Sequence, residues 1–306
     1  MVRADCCLRP LLAALLLCAV LSGCDVQDSA STASPQGQSG PPDPAVTDSV
    51  DQSPEAVETL HFVDAWGEWH DVVLDPEAPR HTYAWECLAR NGDELRYESD
   101  SYTLRKGVDV SSYQGDIRWD KVKADGCDFA FLRIGFRGYG SAGSLNEDRQ
   151  FAANLAGAQA AGLDVGVYFF SQAVNESEAL EEAEFVLKLL DGTTLQLPVV
   201  YDPELIRDDT ARTDNVTGEQ FTQNTLVFCQ AIAQAGYEPM IYSNMVWEGS
   251  LFDMKALEAY PVWYADYEPL PQTPYHFTFW QYSDQGRVNG IDGPVDLDVQ
   301  FLPTKE

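Results

Sequence analysis

From Lys106 onward the chain repeats one texture, a short apolar strand, a turn and a capped helix, and this alternation limits the architectures open to it more than any other feature. "GVDVS" is followed by "DIRWDKVKADG", and "DFAFLRIG" by "EDRQFAANLAGAQAAG". "LDVGVYFFS" precedes a helix that starts at Asn175, where Glu178 completes a capping-box pattern, and stops at Gly192. "LQLPVVYD" is the next strand, Thr217 with Gln220 caps a further helix to Gly236, and "PMIYS", "YPVWYADY" and "YHFTFWQYS" complete the series with less helix between them. Repeated strand and helix units call for parallel strands with helical crossovers, and a stretch of about 200 residues suits one closed barrel. The expected fold class is therefore α/β, an irregular (β/α) TIM-like barrel. A doubly wound open sheet is the structural alternative, weakened because no GxGxxG or GxxxxGK follows the first strand.

Four segments are expected. Residues 1–23 read as a lipoprotein signal peptide: Arg3 and Arg9 flank an n-region, and the apolar run "LLAALLLCAVL" is too short to span a bilayer comfortably. "LSGC" (Leu21 to Cys24) resembles a bacterial lipobox, which makes Cys24 the lipidation site and places the protein outside the cytoplasm on a membrane anchor. An ordinary secretory signal or an uncleaved anchor is the alternative. Residues 24–57, rich in Ser, Pro, Gly, Gln and Asp and without Lys or Arg, read as a disordered tether. Residues 58–105 read as a small β-rich module with a hairpin turn at Asn91-Gly92. Its Trp66, Trp69 and Trp85 either stack on sugar faces or form the core of a very small sheet. Residues 106–306 are the barrel domain.

Charge and cysteine usage exclude several function classes. With 49 acidic against 19 basic residues, the formal charge of −30 repels phosphate backbones, so nucleic acid is not an expected partner. Cys87, Cys127 and Cys229 lie beyond the signal and Cys24, with no CxxC spacing; they read as buried apolar residues, with one bridge from Cys87 as the alternative. His61, His70, His81 and His276 have no metal-binding spacing, so neither a metal nor a cofactor is expected.

In a barrel the chemistry gathers at the C-terminal ends of the strands. Those ends read Asp109, Arg133, Tyr168, Asp202 with Glu204, Tyr242, Trp263 with Tyr267, and Trp280 with Gln281 and Tyr282. Acids beside aromatic rings suit a sugar, with carboxylates for glycosidic chemistry and flat faces for stacking. Asp202 and Glu204 are two apart and share a face of an extended strand, and Pro203 biases Asp202 toward that geometry. Neighbouring carboxylates raise each other's pKa, so one can hold a proton near neutrality and act as a general acid. A lone DxE is nonetheless more often a solvated strand end.

"KGVDVSSYQGDIRW" (106–119), "GVYFFSQA" (166–173), "PVVYDPE" (198–204), "VWYADY" (262–267) and "FWQYSDQGRVNGIDGPVDLD" (279–298) occur in the order seen in glycoside hydrolase family 25. Residues 106 to about 302 thus resemble the lysozymes similar to the Chalaropsis-type muramidase. The resemblance implies hydrolysis, with retention, of the β-1,4 bond between N-acetylmuramic acid and N-acetylglucosamine in peptidoglycan. It places the general acid on Glu204 and its assistant on Asp202. It adds Asp109 and Asp296 as further active-site acids, with Asp298 a weaker match. Tyr168, Tyr242, Trp263, Tyr267, Trp280 and Gln281 are expected to line the groove and bind substrate, each with barrel packing as the alternative. "FRGYGSAG" (136–143) departs from the shorter acidic loop of many relatives and is expected to wall the groove. Peptidoglycan glycan strands are the expected partner, and the protein is expected to be a monomer. Two rivals stand beside this reading. One is a chitinase-like glycosidase, although Val199, Val200 and Tyr201 stand where its Asp series would be. The other is a catalytically silent wall-binding lipoprotein using the same groove.

Overall fold

The computed structural model describes residues 57–207 and 209–304. The expectations for the signal segment 1–23, for Cys24 and for all but Val57 of the tether lie outside the described residues. In chain order the elements are β1 (Thr59–Val63), β2 (Trp69–Val73), β3 (Leu88–Asn91), β4 (Glu94–Tyr97), β5 (Tyr102–Val110), α1 (Trp119–Ala124), β6 (Phe129–Arg137) and β7 (Leu145–Glu147). There follow α2 (Phe151–Ala160), β8 (Asp164–Ser171), α3 (Glu176–Leu190), β9 (Val199–Pro203), α4 (Gly218–Gln234), β10 (Pro239–Asn244), α5 (Met245–Ser250), β11 (Val262–Ala265), β12 (Phe279–Gly286) and β13 (Val295–Pro303).

Eight strands close a barrel in the order β5, β6, β8, β9, β10, β11, β12 and β13, because β5 pairs with both β6 and β13. Neighbours from β5 to β12 are parallel, whereas β13 runs antiparallel to β12 and to β5. β7 adds an antiparallel edge to β6. The helices lie before β11; none stands between β11 and β12 or between β12 and β13. For β12 to β13 the reason is geometric, since an antiparallel pair needs no crossover. The barrel is accordingly richer in strand and poorer in helix than a regular alternation.

The parallel pair β11 and β12 does need a crossover, and residues 266–278 make it without a helix. Its outer face is covered by the N-terminal segment. Arg80 and Tyr275 form an antiparallel bridge, His81 N donates to Pro274 O (3.2 Å) and His276 N donates to Pro79 O (2.9 Å). Tyr83 stacks on Phe301, with ring centroids 4.1 Å apart, and Trp85 lies against Phe277 and Trp280. Phe62, Val72, Leu74 and Tyr83 thereby join the same outer core as Val108, Ile134, Tyr201, Tyr264 and Phe301. The stretch 58–105 is two separate hairpins, β1 with β2 and β3 with β4, docked on this surface. The expected boundary at residue 105 falls inside β5.

Inside the barrel sits a second core of Phe129, Phe131, Leu197, Val200, Met240, Trp263 and Phe279. Two strand glycines make room for its rings. A Cβ on Gly107 would lie 2.2 Å from the Phe129 ring, and one on Gly166 would lie 2.4 Å from Phe131. Helix starts follow local chemistry: Asn175 Oδ1 accepts from Glu178 N (3.0 Å) and Thr217 Oγ1 from Gln220 N (3.2 Å). Cys87, Cys127 and Cys229 are all free thiols, so no bridge from Cys87 forms.

Candidate active site

The period of two in β9 builds the centre of the site. Val199 and Tyr201 face the outer core and Val200 the inner one, so Asp202 continues the inward face, with Glu204 next on the same side. Tyr201 is fixed from outside by a hydrogen bond between its phenol and the Ser171 hydroxyl, 2.8 Å apart. Gln172 Nε2 donates to the Glu204 carbonyl at 2.6 Å and holds the chain where β9 ends. On the opposite side of the barrel, Asp109 of β5 stands directly across from Asp296 of β13 in the strand register.

These four carboxylates open into one cleft of about 680 Å³, lined also by Tyr113, Arg133, Tyr168, Tyr242, Trp263, Tyr267 and Gln281. Gln281 is a hub. Its Nε2 donates to Asp109 Oδ2 (2.7 Å), while its Oε1 accepts from Tyr242 OH (2.8 Å) and Tyr267 OH (3.0 Å). Trp263 is positioned from both sides, by stacking on Phe131 at 4.7 Å and by donating from Nε1 to Asp298 Oδ1 at 2.8 Å. Arg133 donates from Nε to the buried carboxylate of Asp148 (2.8 Å) and lies 5.1 Å from the centre of the Tyr113 ring.

Electrostatics follow from placing acids together away from water. Burial, then Asp296, pushes Glu204 up to about 7, against the opposing pull of Arg133. Burial, then Glu204, raises Asp202 well above the ordinary carboxylate range, and Arg133 again opposes. Burial, then Asp284, brings Asp296 to about 6. Asp109 is raised strongly, first by burial and then by Asp296 and Asp298. Asp202 Oδ1 and Asp298 Oδ2 are buried oxygens with no hydrogen-bond partner in the protein. Such a site can keep a carboxylic acid protonated near neutral pH.

The sequence pattern of glycosyl hydrolases family 25 matches residues 108–291, more than half of the chain. The chain belongs to this family. Lysozyme M1 of Streptomyces globisporus is 31% identical over 202 residues, covering 62% of this chain and 66% of that protein. The autolytic lysozyme of Clostridium acetobutylicum is 26% identical over 196 residues, covering 63% and 55%. The chain therefore spans between about half and two thirds of the length of these relatives. Among solved structures, the bacterial lysozyme from Streptomyces coelicolor superposes with a TM-score of 0.52 at 25% identity, covering 63% of this chain and 90% of that one.

Within this family 25 domain, nine of the ten side chains expected at the site line the cleft: Asp109, Tyr168, Asp202, Glu204, Tyr242, Trp263, Tyr267, Gln281 and Asp296. Trp280 does not. Phe279 and Gln281 face the barrel interior, so the pleat turns Trp280 outward, where its Nε1 donates to Asp266 O (2.8 Å) and its ring packs beside Trp85 and Tyr282. Tyr282 goes outward with the same core. Phe136 to Gly140 of the glycine-containing loop form part of the cleft wall. Sequence reasoning missed Ser111, Tyr113 and Gln114, which follow the first strand as a 3-10 turn capped by Ser111, and Asp148, which holds Arg133. The "SSYQG" run after Asp109 was the available signal for the first three.

Among the described residues, one acid and imidazole group, Asp64, Glu68 and His70, has ligand atoms within 4.8 Å of each other. Arg207 already donates to Glu68 Oε2 at 2.5 Å and to Asp64 Oδ2 at 3.4 Å, so a cation is supplied to this group by the chain itself.

Proposed function

We propose that the protein is an N-acetylmuramidase of the Chalaropsis type, hydrolysing the β-1,4 bond between N-acetylmuramic acid and N-acetylglucosamine in peptidoglycan with retention. Its barrel is the irregular (β/α) form that the strand and helix pattern suggests. The observation that carries the reading is Glu204, a half-buried carboxyl held near 7 at the centre of a cleft of four acids and aromatic walls. Glu204 protonates the glycosidic oxygen as the bond breaks, then takes a proton from the water that completes hydrolysis.

The anomeric carbon is attacked by the substrate's own acetamido oxygen, with Asp202 orienting that group. Two features support this route over direct attack. Burial holds Asp202 well above the usual carboxylate range, which makes it a poor anionic nucleophile, and its carboxyl lines the cleft beside Glu204, where it can accept from the acetamido N–H. Asp109 is oriented by Gln281, and Asp296 raises Glu204. Tyr168, Tyr242, Trp263, Tyr267 and Gln281 shape the glycan site. The chain acts outside the cytoplasm, lipid-anchored through Cys24 or secreted, and works as a monomer.

Digestion of purified peptidoglycan by the full chain, beside Glu204→Gln, with mass spectrometry of reduced products tests the reading. Products ending in reduced muramic acid that vanish with the variant are expected. Ends in reduced glucosamine would make it a glucosaminidase, and release of nothing with wall binding intact would make it a silent binding protein.

A further inference from the structure

Glu204 sits at the junction of two cavities. Besides the cleft of four acids, a second cavity of about 510 Å³ opens on its other side, lined by Asp64 to Gly67 of the turn between β1 and β2 and by Tyr242, Asp266, Tyr267 and Gln272 of the barrel rim. Glu204, Tyr242 and Tyr267 line both. We propose that the hairpin of β1 and β2, which lies outside the family-matching region, is the second wall of the glycan groove, and that sugar units lying beyond the scissile bond rest in this cavity with Trp66 as their stacking platform.

The inference rests on the muramidase reading, because a polymer cleaved at Glu204 has to leave the acid in two directions. The hairpin is built to be a fixed wall. The Gln272 side chain donates from Nε2 to Val63 O (2.8 Å) and accepts from Val63 N (2.9 Å), while Gln272 N donates to Asp266 Oδ2 (2.8 Å). At the turn, Asp64 Oδ1 accepts from Trp66 N and from Glu68 N, both at 2.9 Å, which sets the loop that presents the ring.

Trp66 is 56% exposed and Trp69 of the same hairpin 64%, but of the two only Trp66 lines the cavity. One face is occupied: the Arg207 guanidinium lies 4.4 Å from the ring centroid. Arg207 follows Glu204 by three residues, so this contact ties the platform to the segment that carries the acid. A rigid aromatic ring with a remaining exposed face matches the apolar face of a pyranose. The cavity's chemistry favours glycan over the acidic groups of a stem peptide. Its charged lining is Asp64, Glu204, Asp266 and Glu268, and nearby Arg207 is engaged by Asp64 and Glu68, leaving carboxylates as acceptors for hydroxyls.

The test compares wild type, Trp66→Ala and Trp66→Phe in hydrolysis of peptide-free glycan strands, with hydroxyl-radical footprinting of Glu204→Gln in the presence and absence of those strands. Trp66→Ala is expected to raise KM about tenfold, the effect of losing a well-placed aromatic anchor, with kcat within about twofold. Trp66→Phe is expected to restore most of the loss, and bound strands are expected to protect Trp66 from oxidation. An unchanged KM in Trp66→Ala, a loss seen with intact peptidoglycan but not with peptide-free strands, or equal oxidation of Trp66 with and without glycan would each overturn the proposal. If wild type cleaves nothing, the muramidase reading fails instead, and the footprint still decides whether glycan rests on Trp66.

Discussion

At the scale of single residues, the protonation of the proposed general acid, Glu204, sets the expected working range. A general acid must hold its proton until the leaving oxygen takes it, so activity is expected to fall as pH rises through about 7, the value that burial and Asp296 impose. The negative charge of Asp296 raises Glu204, so the residual activity of Asp296→Asn should lose its alkaline limb at lower pH than wild type; a limb that stays in place would remove Asp296 from this role. The same shift has a consequence for stability. The folded-state pKa of Glu204 exceeds its ordinary value, so its favourable contribution is complete below the unfolded pKa and is lost as pH rises through about 7. Glu204→Gln escapes that loss. Its Tm relative to wild type is therefore expected to climb between about pH 5 and pH 8. Asp109, Asp202 and Glu204 were legible in the sequence because each lies where a recognisable strand ends, whereas Asp296, at the start of β13, was legible only through the family resemblance. Trp280 was not, because β12 is buried on both faces, and a strand between an inner and an outer core loses the polar alternation that would tell which way each ring points.

At the scale of elements, the helices announced themselves through their caps, but what replaces the absent crossover helix did not. The contacts of residues 80–83 with 274–277 join parts of the chain nearly 200 residues apart, and such pairings leave no local pattern. A second long-range device fastens α3 to β6. Arg137 Nε donates to Glu182 Oε1 (2.7 Å), and its other nitrogens donate to Gly143 O and Glu178 O, both at 2.9 Å, so one buried cation holds the helix, the strand and the wall loop together. Ser171 Oγ donates to the other Glu182 oxygen at 2.6 Å. Arg137→Met leaves a fully buried carboxylate facing an apolar side chain, which is expected to destabilise the protein by about 3 to 5 kcal/mol in urea unfolding. Pairing it with Glu182→Leu removes the orphaned charge, and the double variant should recover most of that loss. If the two single losses simply add, the pair is not acting as one unit.

At the scale of the whole molecule, two properties lead to measurements. For the proposed wall substrate, the acidic excess over the chain means that long-range fields give no attraction to an anionic wall, and capture is expected to rely on stacking and hydrogen bonds in the groove. Moderate salt should leave wall digestion unchanged or faster, and a steep loss on adding salt would contradict this. The second property is that the hairpins at 58–105 share a core with the barrel instead of forming one of their own. Phe62, Val72, Leu74 and Tyr83 are buried in it, and at about 2 kcal/mol per large apolar side chain they contribute roughly 6 to 10 kcal/mol of burial. That is comparable to the whole net stability of an ordinary domain, about 5 to 15 kcal/mol. Residues 57–304 are therefore expected to unfold in one calorimetric transition, with van't Hoff and calorimetric enthalpies in agreement. A chain starting at Tyr102 would uncover Tyr275, Phe277, Trp280 and Phe301 and should fail to fold cooperatively. If that shortened chain gave a soluble species with a sharp transition of its own, the hairpins would be an appendage, and a barrel without helices after β11 would have to be stable with its outer face bare.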